Sequence, residues 1–238
     1  MPLRVIPALL LFFLTGCATT GTGGKDPEPV APEPQEIAET IPSSTATIDE
    51  HLYEPEIEPV AADPADPHVH ASVWERLVHS FALPECANHE KAVKWAQWYA
   101  QHPEYMGRIF KRAQPWIYHI TNEIEQRELP GELALLPIVE SAYDPFAYSR
   151  GRALGAWQFI ASTGKNYGLN QNWWYDGRRD VWASTDAALT YLDTMAVMFD
   201  GDWLLALAGY NSGENRVARQ VKKNKAAGKP ADFWNLKL

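Results

Sequence analysis

The chain has 238 residues, of which 46% are hydrophobic, so it can bury the core of one or two domains. Its net charge of −9 is concentrated between Lys25 and Pro67, where 12 acidic residues accompany one lysine. The rest of the chain is close to neutral and has no concentrated basic face, which argues against a nucleic-acid partner.

The first residues have the pattern of a bacterial lipoprotein signal, predicted to cover residues 1–16. The apolar run Val5 to Leu14 is too short to span a bilayer, which takes about 20 residues in a helix. It ends in LTGC, which resembles the bacterial lipobox, and cleavage before Cys17 would leave that cysteine to carry lipid. Ala18 favours sorting to the outer membrane. We predict a periplasm-facing protein anchored through Cys17; the alternative is a plain secretory signal with a chance cysteine.

Residues 17–70 have the composition of an extended linker. Nine prolines lie between Pro27 and Pro67, among many acidic residues. Such a segment buries too little apolar area to offset its chain entropy, and its charges repel one another. Beyond it, Cys86 is the only other cysteine, and we predict a buried apolar role for it rather than a nucleophilic one.

From residue 71 onward the apolar spacing is helical and predicts an all-α domain over 71–238. No alternating strand pattern appears. The predicted helices follow Trp74, Leu77, Val78 and Phe81; Met106 to Ile124, as one long helix with Pro115 as a kink; Val181 to Phe199, opened by Asp180; Trp203 to Ala208, capped by Asp202; and Glu214 to Lys225, closed by Gly228 and Pro230.

The segment LPGELALLPIVESAYDP places a carboxylate in apolar surroundings. With Pro130 in its first turn, a helix reaching Glu140 would be apolar on nearly all sides, with Glu132 as its only other polar residue. Pro137 would leave the carbonyl of Leu133 without its usual partner. The Asp144-Pro145 pair is interpreted as the helix stop.

Burial at this position would raise the pKa of Glu140 and keep it protonated near neutral pH, as a general acid requires. The alternatives are an ion pair with Arg150 or Arg152, or an exposed helix end. A nucleophile is disfavoured because Ser141 has no histidine or G-x-S-x-G elbow to serve it. No His/Cys/Asp spacing resembles a zinc site, so neither metal nor cofactor is predicted.

Three segments rich in aromatics, glycines and amides suggest a saccharide groove. They are residues 151–159, in which Trp157 and Gln158 would supply an apolar platform and an amide; residues 166–180; and residues 209–217, which place Tyr210 and Asn211 just before a helix. Aromatic faces with amide donors and acceptors suit a flat polar ligand, although each segment alone is also compatible with ordinary packing or turns.

Glu140-Ser141, then GAWQ at 155–158, then GYNSG at 209–213 resemble the ordered E-S, G-L-M-Q and A-Y-N-A-G motifs of the SLT-type lytic transglycosylases. The resemblance covers nearly all of the domain. It implies a lysozyme-like α fold and peptidoglycan glycan strands as substrate, cleaved between N-acetylmuramic acid and N-acetylglucosamine with formation of 1,6-anhydro ends. It implies Glu140 as the single acid/base, because a 6-hydroxyl already held close replaces much of a second carboxylate.

The family pattern assigns Ser141, Gln158, Tyr210 and Asn211 to orienting the acid or binding sugar. Trp157, where the family often has Met, and Tyr143 complete the predicted substrate-binding set. Gly209 replaces the usual Ala and is expected to loosen a turn. The chain stops at Leu238, before the segment and LysM repeats that such proteins carry, so a C-terminally short domain is expected. The alternatives are a hydrolase of the same fold and a non-enzymatic wall-binding lipoprotein.

Overall fold

The computed structural model describes residues 72–84 and 89–238. The predicted signal, the linker, Cys17 and Cys86 lie outside these residues. Within them the prediction of an all-α domain is confirmed: there is no strand, only three isolated β-bridges. The helices are α1 Val73–His79, α2 Glu90–Gln101, α3 Pro103–Ala113, α4 Ile117–Gln126, α5 Leu136–Ser141, α6 Ala161–Asn166, α7 Val181–Met198, α8 Trp203–Ser212 and α9 Glu214–Ala226, with 3₁₀ helices at Gly131–Leu135 and Phe233–Asn235.

Helices α7 and α8 form the centre of the core. Residues 205–209 of α8 are buried consecutively, so this helix is surrounded on all sides. A Cβ atom at Gly209 would lie 2.9 Å from the Sδ atom of Met195 on α7. The expectation that Gly209 loosens a turn is therefore wrong, because Gly209 lies within α8 and lets the two helices approach closely. No helix in residues 72–84 or 89–238 is long and apolar enough to cross a membrane.

The predicted caps of α7 and α8 are confirmed. The Asp180 carboxylate accepts a hydrogen bond from the Ala183 amide at 3.1 Å, and Asp202 accepts one from Leu205 at 3.0 Å. Each carboxylate thus satisfies an amide that the first helical turn leaves unpaired.

The single helix predicted from Met106 to Ile124 is wrong. Helix α3 ends at Ala113 and α4 begins at Ile117, with Pro115 between them. Proline lacks the amide hydrogen and its ring collides with the carbonyl four residues earlier, so the chain turns there. The apolar spacing continues across the break because both helices bury the same side of the pattern: Met106, Ala113, Ile117, Ile120 and Ile124 are all buried.

The segment leading to Glu140 is also two elements rather than one α-helix. A 3₁₀ helix covers Gly131–Leu135, and α5 follows with Pro137 in its first turn. The carbonyl of Leu133 accepts a hydrogen bond from the Leu136 amide. The carbonyl that Pro137 would have left unpaired is thus satisfied by the tighter 3₁₀ geometry.

The buried carboxylate of Glu132 fastens this segment to the chain that follows α1. It accepts hydrogen bonds from the backbone amides of Ala82, at 3.0 Å, and Leu83, at 2.9 Å, about fifty residues away in sequence. Sequence reasoning noted Glu132 only as an interruption of an apolar helix.

We expect Glu132→Ala to lower the free energy of unfolding by about 2 kcal/mol, since two hydrogen bonds to a charged group are lost together. Urea denaturation followed by circular dichroism measures this loss. The matched control is Glu104→Ala, an exposed glutamate of α3, which should change stability by less than about 0.5 kcal/mol. Equal effects of the two substitutions would contradict the fastening role of Glu132.

Candidate active site

Glu140 lies in the last turn of α5 and is only partly exposed. Burial raises the pKa of its carboxyl to about 8. No hydrogen bond or ion pair with Glu140 is found among the described residues, so the predicted alternative of a pair with Arg150 or Arg152 is not met. The only buried side-chain nitrogen or oxygen without a partner in those residues is Nε2 of His119. The Glu140 oxygens are therefore not completely shielded from solvent.

Helix α5 ends in two consecutive residues with left-handed backbone. Ala142 has φ 52° and Tyr143 has φ 60°. Such conformations cost about 1–3 kcal/mol each for residues with a side chain and are often retained at functional sites. The Tyr143 ring is completely buried and its hydroxyl donates to the carbonyl of Ala134 at 2.5 Å. Tyr143 thus fixes the end of α5 against the preceding 3₁₀ helix, and the expectation that it contacts sugar is not met.

Ser141 connects α5 to the turn at residues 155–158. Its hydroxyl donates to the carbonyl of Ala156 at 2.8 Å and accepts from the amide of Asp144 at 3.2 Å. The Asp144 carboxylate accepts the Phe146 amide at 2.8 Å and so shapes the next turn. The helix therefore ends three residues before the predicted Asp144-Pro145 stop, and the left-handed residues, rather than the proline, end it.

Trp157 faces the core and not the solvent. Its side chain is completely buried, and the indole Nε1–H donates to the Thr185 hydroxyl on α7 at 3.0 Å. The predicted apolar platform for ligand is therefore not available at Trp157. Gln158 is half-buried, and its Nε2 amide donates to the carbonyls of Gly155, at 2.9 Å, and Ala147, at 3.1 Å. The side-chain amide of Gln158, which was predicted to serve the ligand, thus donates to backbone carbonyls instead.

Gly155 is required by its backbone and by its surroundings. Its φ is 87°, and a Cβ atom there would lie 1.8 Å from the carbonyl oxygen of Arg178. The Arg178 guanidinium is paired with Asp176 at 2.6 Å and donates to the carbonyls of Arg152, at 3.2 Å, and Phe159, at 3.3 Å. Arg178 therefore clamps the loop that carries Gln158. Sequence reasoning missed this role, for which the arginine within an aromatic-rich stretch was the available signal.

Tyr210 and Asn211 lie just ahead of α9, as predicted, but they belong to the last turn of α8, which extends past its predicted end at Ala208. The Tyr210 hydroxyl donates to the carbonyl of Trp157 at 2.6 Å. Burial, and to a lesser degree the charge of Glu140, raise the pKa of Tyr210, so the two side chains are close neighbours. The Asn211 amide is half-buried and forms no hydrogen bond within the described residues, which leaves both its donor and its acceptor for a ligand.

A second carboxylate stands behind Tyr210. The Tyr191 hydroxyl donates to Oε2 of Glu214 at 2.8 Å, and the Tyr191 ring lies 5.5 Å from that of Tyr210. Glu214 is therefore engaged in holding α9 to α7. Neither residue was predicted to take part in the site. Glu214 directly follows the GYNSG motif, whereas Tyr191 belongs to no motif and only the fold brings it here.

The structure thus brings the three predicted motifs together around one carboxyl. Ser141 and Tyr210 bind consecutive carbonyls of the 155–158 turn, and Glu140 lies beside them with a free, largely protonated carboxyl at neutral pH. Such a group can donate a proton to a bound oxygen and later accept one. Across residues 72–84 and 89–238 no group of three or more His, Cys, Asp or Glu side chains is arranged to hold a metal ion.

Comparison with known proteins is in keeping with this geometry. Residues 118–233 match the model of the transglycosylase SLT domain. Over 142 residues, 60% of this chain, the sequence is 54% identical to "Membrane-bound lytic murein transglycosylase D" of Escherichia coli K12 and equally to that of a second Escherichia coli strain. It is 46% identical, over 48% of the chain and 56% of the relative, to an Alteromonas protein named for tributyltin chloride resistance. The chain spans about a third of the length of the Escherichia coli relatives, at 31%.

Proposed function

The chain belongs to the transglycosylase SLT domain family, whose fold is lysozyme-like, and from this we propose that it is a peptidoglycan lytic transglycosylase. Its substrate is the β-1,4 bond between N-acetylmuramic acid and N-acetylglucosamine. The observation that carries the proposal is the solitary carboxyl of Glu140, raised in pKa and placed among all three family motifs.

In the proposed reaction Glu140 acts first as acid and then as base. It donates its proton to the glycosidic oxygen as the bond from C1 to that oxygen breaks. The resulting carboxylate removes the proton from the 6-hydroxyl of the muramic acid, whose oxygen bonds to C1. The proton is back on Glu140 at the end, a 1,6-anhydro ring has formed, and no water is consumed.

A single carboxyl suffices because the nucleophile belongs to the substrate. Glycoside hydrolases usually need two carboxyl groups, one of which activates water or attacks C1. Here the nearby carboxylates are occupied: Asp144 accepts the amide of Phe146, and Glu214 accepts the hydroxyl of Tyr191. An intramolecular hydroxyl held next to C1 offsets much of the entropic barrier that a second carboxylate would address.

Product analysis tests the proposal directly. Purified sacculi are digested with the full chain and the released muropeptides are examined by mass spectrometry. Anhydro ends, lighter by one water and not reducible, are the expected result. Reducible ends would replace the proposal with hydrolysis, and wall binding without release would replace it with a non-enzymatic role.

The pH dependence of release follows from the raised pKa of Glu140. The acid step needs the protonated carboxyl, so the rate should fall tenfold per pH unit above about 8. An ordinary glutamic acid would already have lost its proton well below neutral pH, and activity would then decline from about pH 5. Initial rates on sacculi between pH 5 and 10 distinguish these outcomes, with chain stability checked at each pH.

Attachment to the outer membrane, facing the periplasm, is part of the same proposal. The proposed organisation is a signal over 1–16, lipid on Cys17 within a linker over 17–70, and the SLT domain over 71–238. It is supported by the LTGC sequence and by the words "membrane-bound" in the name of the Escherichia coli relatives. Replacing Cys17 with Ser should move the protein from the membrane fraction to the soluble fraction. An unchanged membrane fraction would contradict the lipid anchor.

A further inference from the structure

Two adjacent indoles stand out from the described surface. Trp173 is 87% exposed and Trp174 is 89% exposed, more than any other large hydrophobic side chain in residues 72–84 and 89–238. Their rings are nearly perpendicular, at 89°, with centroids 6.4 Å apart. Burying a side chain of this size stabilises a fold by a few kcal/mol, so two exposed indoles contribute none of this stability. Exposed apolar side chains that lie together often mark a binding site.

The loop that presents these indoles is tightly ordered. The side-chain Oδ1 of Asn172 accepts hydrogen bonds from the backbone amides of Trp174 and Tyr175, both at 2.9 Å. The backbone amide of Asn172 donates to the carbonyl of Tyr175 at 2.8 Å. The Tyr175 hydroxyl donates to Asp180 at 2.9 Å. The backbone beneath the indoles is therefore fixed before any ligand arrives, which lowers the entropy lost on binding.

The indoles border a pocket of about 430 Å³ that is lined by residues 172–176, Arg179 and Asp180. The lining contains Asp176, Arg179 and Asp180, and Asp176 is paired with the neighbouring Arg178, so these four formal charges sum to zero. A basic patch would favour an anionic lipid surface, and this pocket has none. Aromatic faces together with indole and amide donors suit a neutral ligand that has both an apolar face and hydroxyl groups.

This pocket is joined to the candidate active site by two contacts. The Arg179 guanidinium lies over the ring of Phe146, 6.0 Å from its centroid, and Phe146 follows the turn after α5. Arg178, which directly precedes Arg179, clamps the loop that carries Gln158. The pocket therefore borders the segment that follows α5.

We propose that Trp173 and Trp174 form a second sugar-binding site, which holds a neutral N-acetylhexosamine unit of the glycan strand away from Glu140. The C–H face of the pyranose stacks on an indole, and its hydroxyl and acetamide groups bind the polar lining. The choice of ligand rests on the proposed function, which this site extends by anchoring the strand while Glu140 acts elsewhere along it.

The test uses the full chain with Glu140→Gln, so that binding is measured without cleavage. Trp173→Ala and Trp174→Ala are added together, and Tyr118→Ala is the matched control, since its ring is exposed on α4 and does not line the pocket. Calorimetric titration with chitohexaose, and sedimentation with purified sacculi, give the affinities. We expect the double tryptophan variant to bind about tenfold more weakly, from the loss of two aromatic contacts, and the control to bind within twofold of the parent.

Three results would overturn the site. The first is undiminished sugar binding by the double variant, and the second is no measurable chitohexaose binding by the parent. The third is a double variant that loses binding only to vesicles of phosphatidylethanolamine and phosphatidylglycerol, which would indicate a membrane contact. Circular dichroism melts establish that the variants fold. Failure of the proposed function gives a different signature, namely no muropeptide release by the chain with Glu140 intact, whatever the affinity ratio of the tryptophan variants.

Discussion

Glu140→Gln is expected to lower the rate of glycan release by about 1,000-fold, the range contributed by a positioned general acid and base. Glutamine keeps the shape of the side chain but can neither donate the carboxyl proton nor recover it. The rate of soluble muropeptide release from sacculi measures the effect. Glu214→Gln is the matched control, since Glu214 is a carboxylate behind Tyr210 that is engaged with Tyr191; it should lose less than tenfold.

The same substitution should stabilise the protein, in a manner that depends on pH. Burial raises the pKa of Glu140 from 4.5 to about 8, so between these values the folded chain holds a proton that the unfolded chain releases. Stability therefore falls as pH rises through this window, and replacing the carboxyl removes that loss. We expect Glu140→Gln to be about 1–2 kcal/mol more stable than the wild type at pH 8, a value reduced for the solvent that reaches the partly exposed carboxyl, and equal to it at pH 4.

Two outcomes would contradict this account of Glu140. Retained activity in Glu140→Gln would remove this residue from the chemistry. Equal stability of the two proteins at both pH values would show that burial does not destabilise the ionised carboxyl, and the raised pKa would then have no basis.

Gly155→Ala is expected to lower the free energy of unfolding by about 4 kcal/mol. This is the largest effect on stability that we expect from a single substitution in the 155–158 turn. The new methyl group would meet the Arg178 carbonyl at 1.8 Å, and the φ of 87° is unfavourable for any residue with a side chain. The loop must then move away from Arg178, which also displaces the carbonyls that Ser141 and Tyr210 bind. Activity should fall with stability.

Thermal melts and sacculus digestion measure these two effects. Gly151→Ala is the control, because a Cβ atom at this exposed position meets only the Ser149 side chain, at 3.7 Å, and Gly151 needs no positive φ. It should change stability by less than about 1 kcal/mol. If both substitutions were tolerated equally, the close approach of Arg178 to Gly155 would not matter to the fold.

Local sequence patterns predicted the features that depend on neighbouring residues, namely helices and their caps. Apolar spacing located most helices, and Asp180 and Asp202 were recognisable as caps because a cap depends on three or four neighbouring residues. The same spacing did not reveal the break at Pro115, since α3 and α4 bury the same side of the repeat and the apolar phase is continuous. The single-helix prediction treated an unbroken pattern as an unbroken helix.

The candidate site was predictable in its members and less so in their roles. Glu140 was identified from its apolar surroundings, and the burial that raises its pKa agrees with that reasoning. Whether an aromatic ring faces ligand or core depends on contacts across the fold, so the sequence could not show that Trp157 reaches Thr185 or that Tyr143 reaches Ala134. The clamp by Arg178 is equally non-local, because its partners lie about twenty residues upstream.

The acid of this site is made by folding. In the unfolded chain Glu140 has the ordinary pKa of 4.5 and is ionised at neutral pH, far from the residues of the other two motifs. Only when α5, the 155–158 turn and α8 come together does the carboxyl take up its proton. In the unfolded chain this carboxyl therefore cannot act as a proton donor at neutral pH, and folding supplies its proton-donating form.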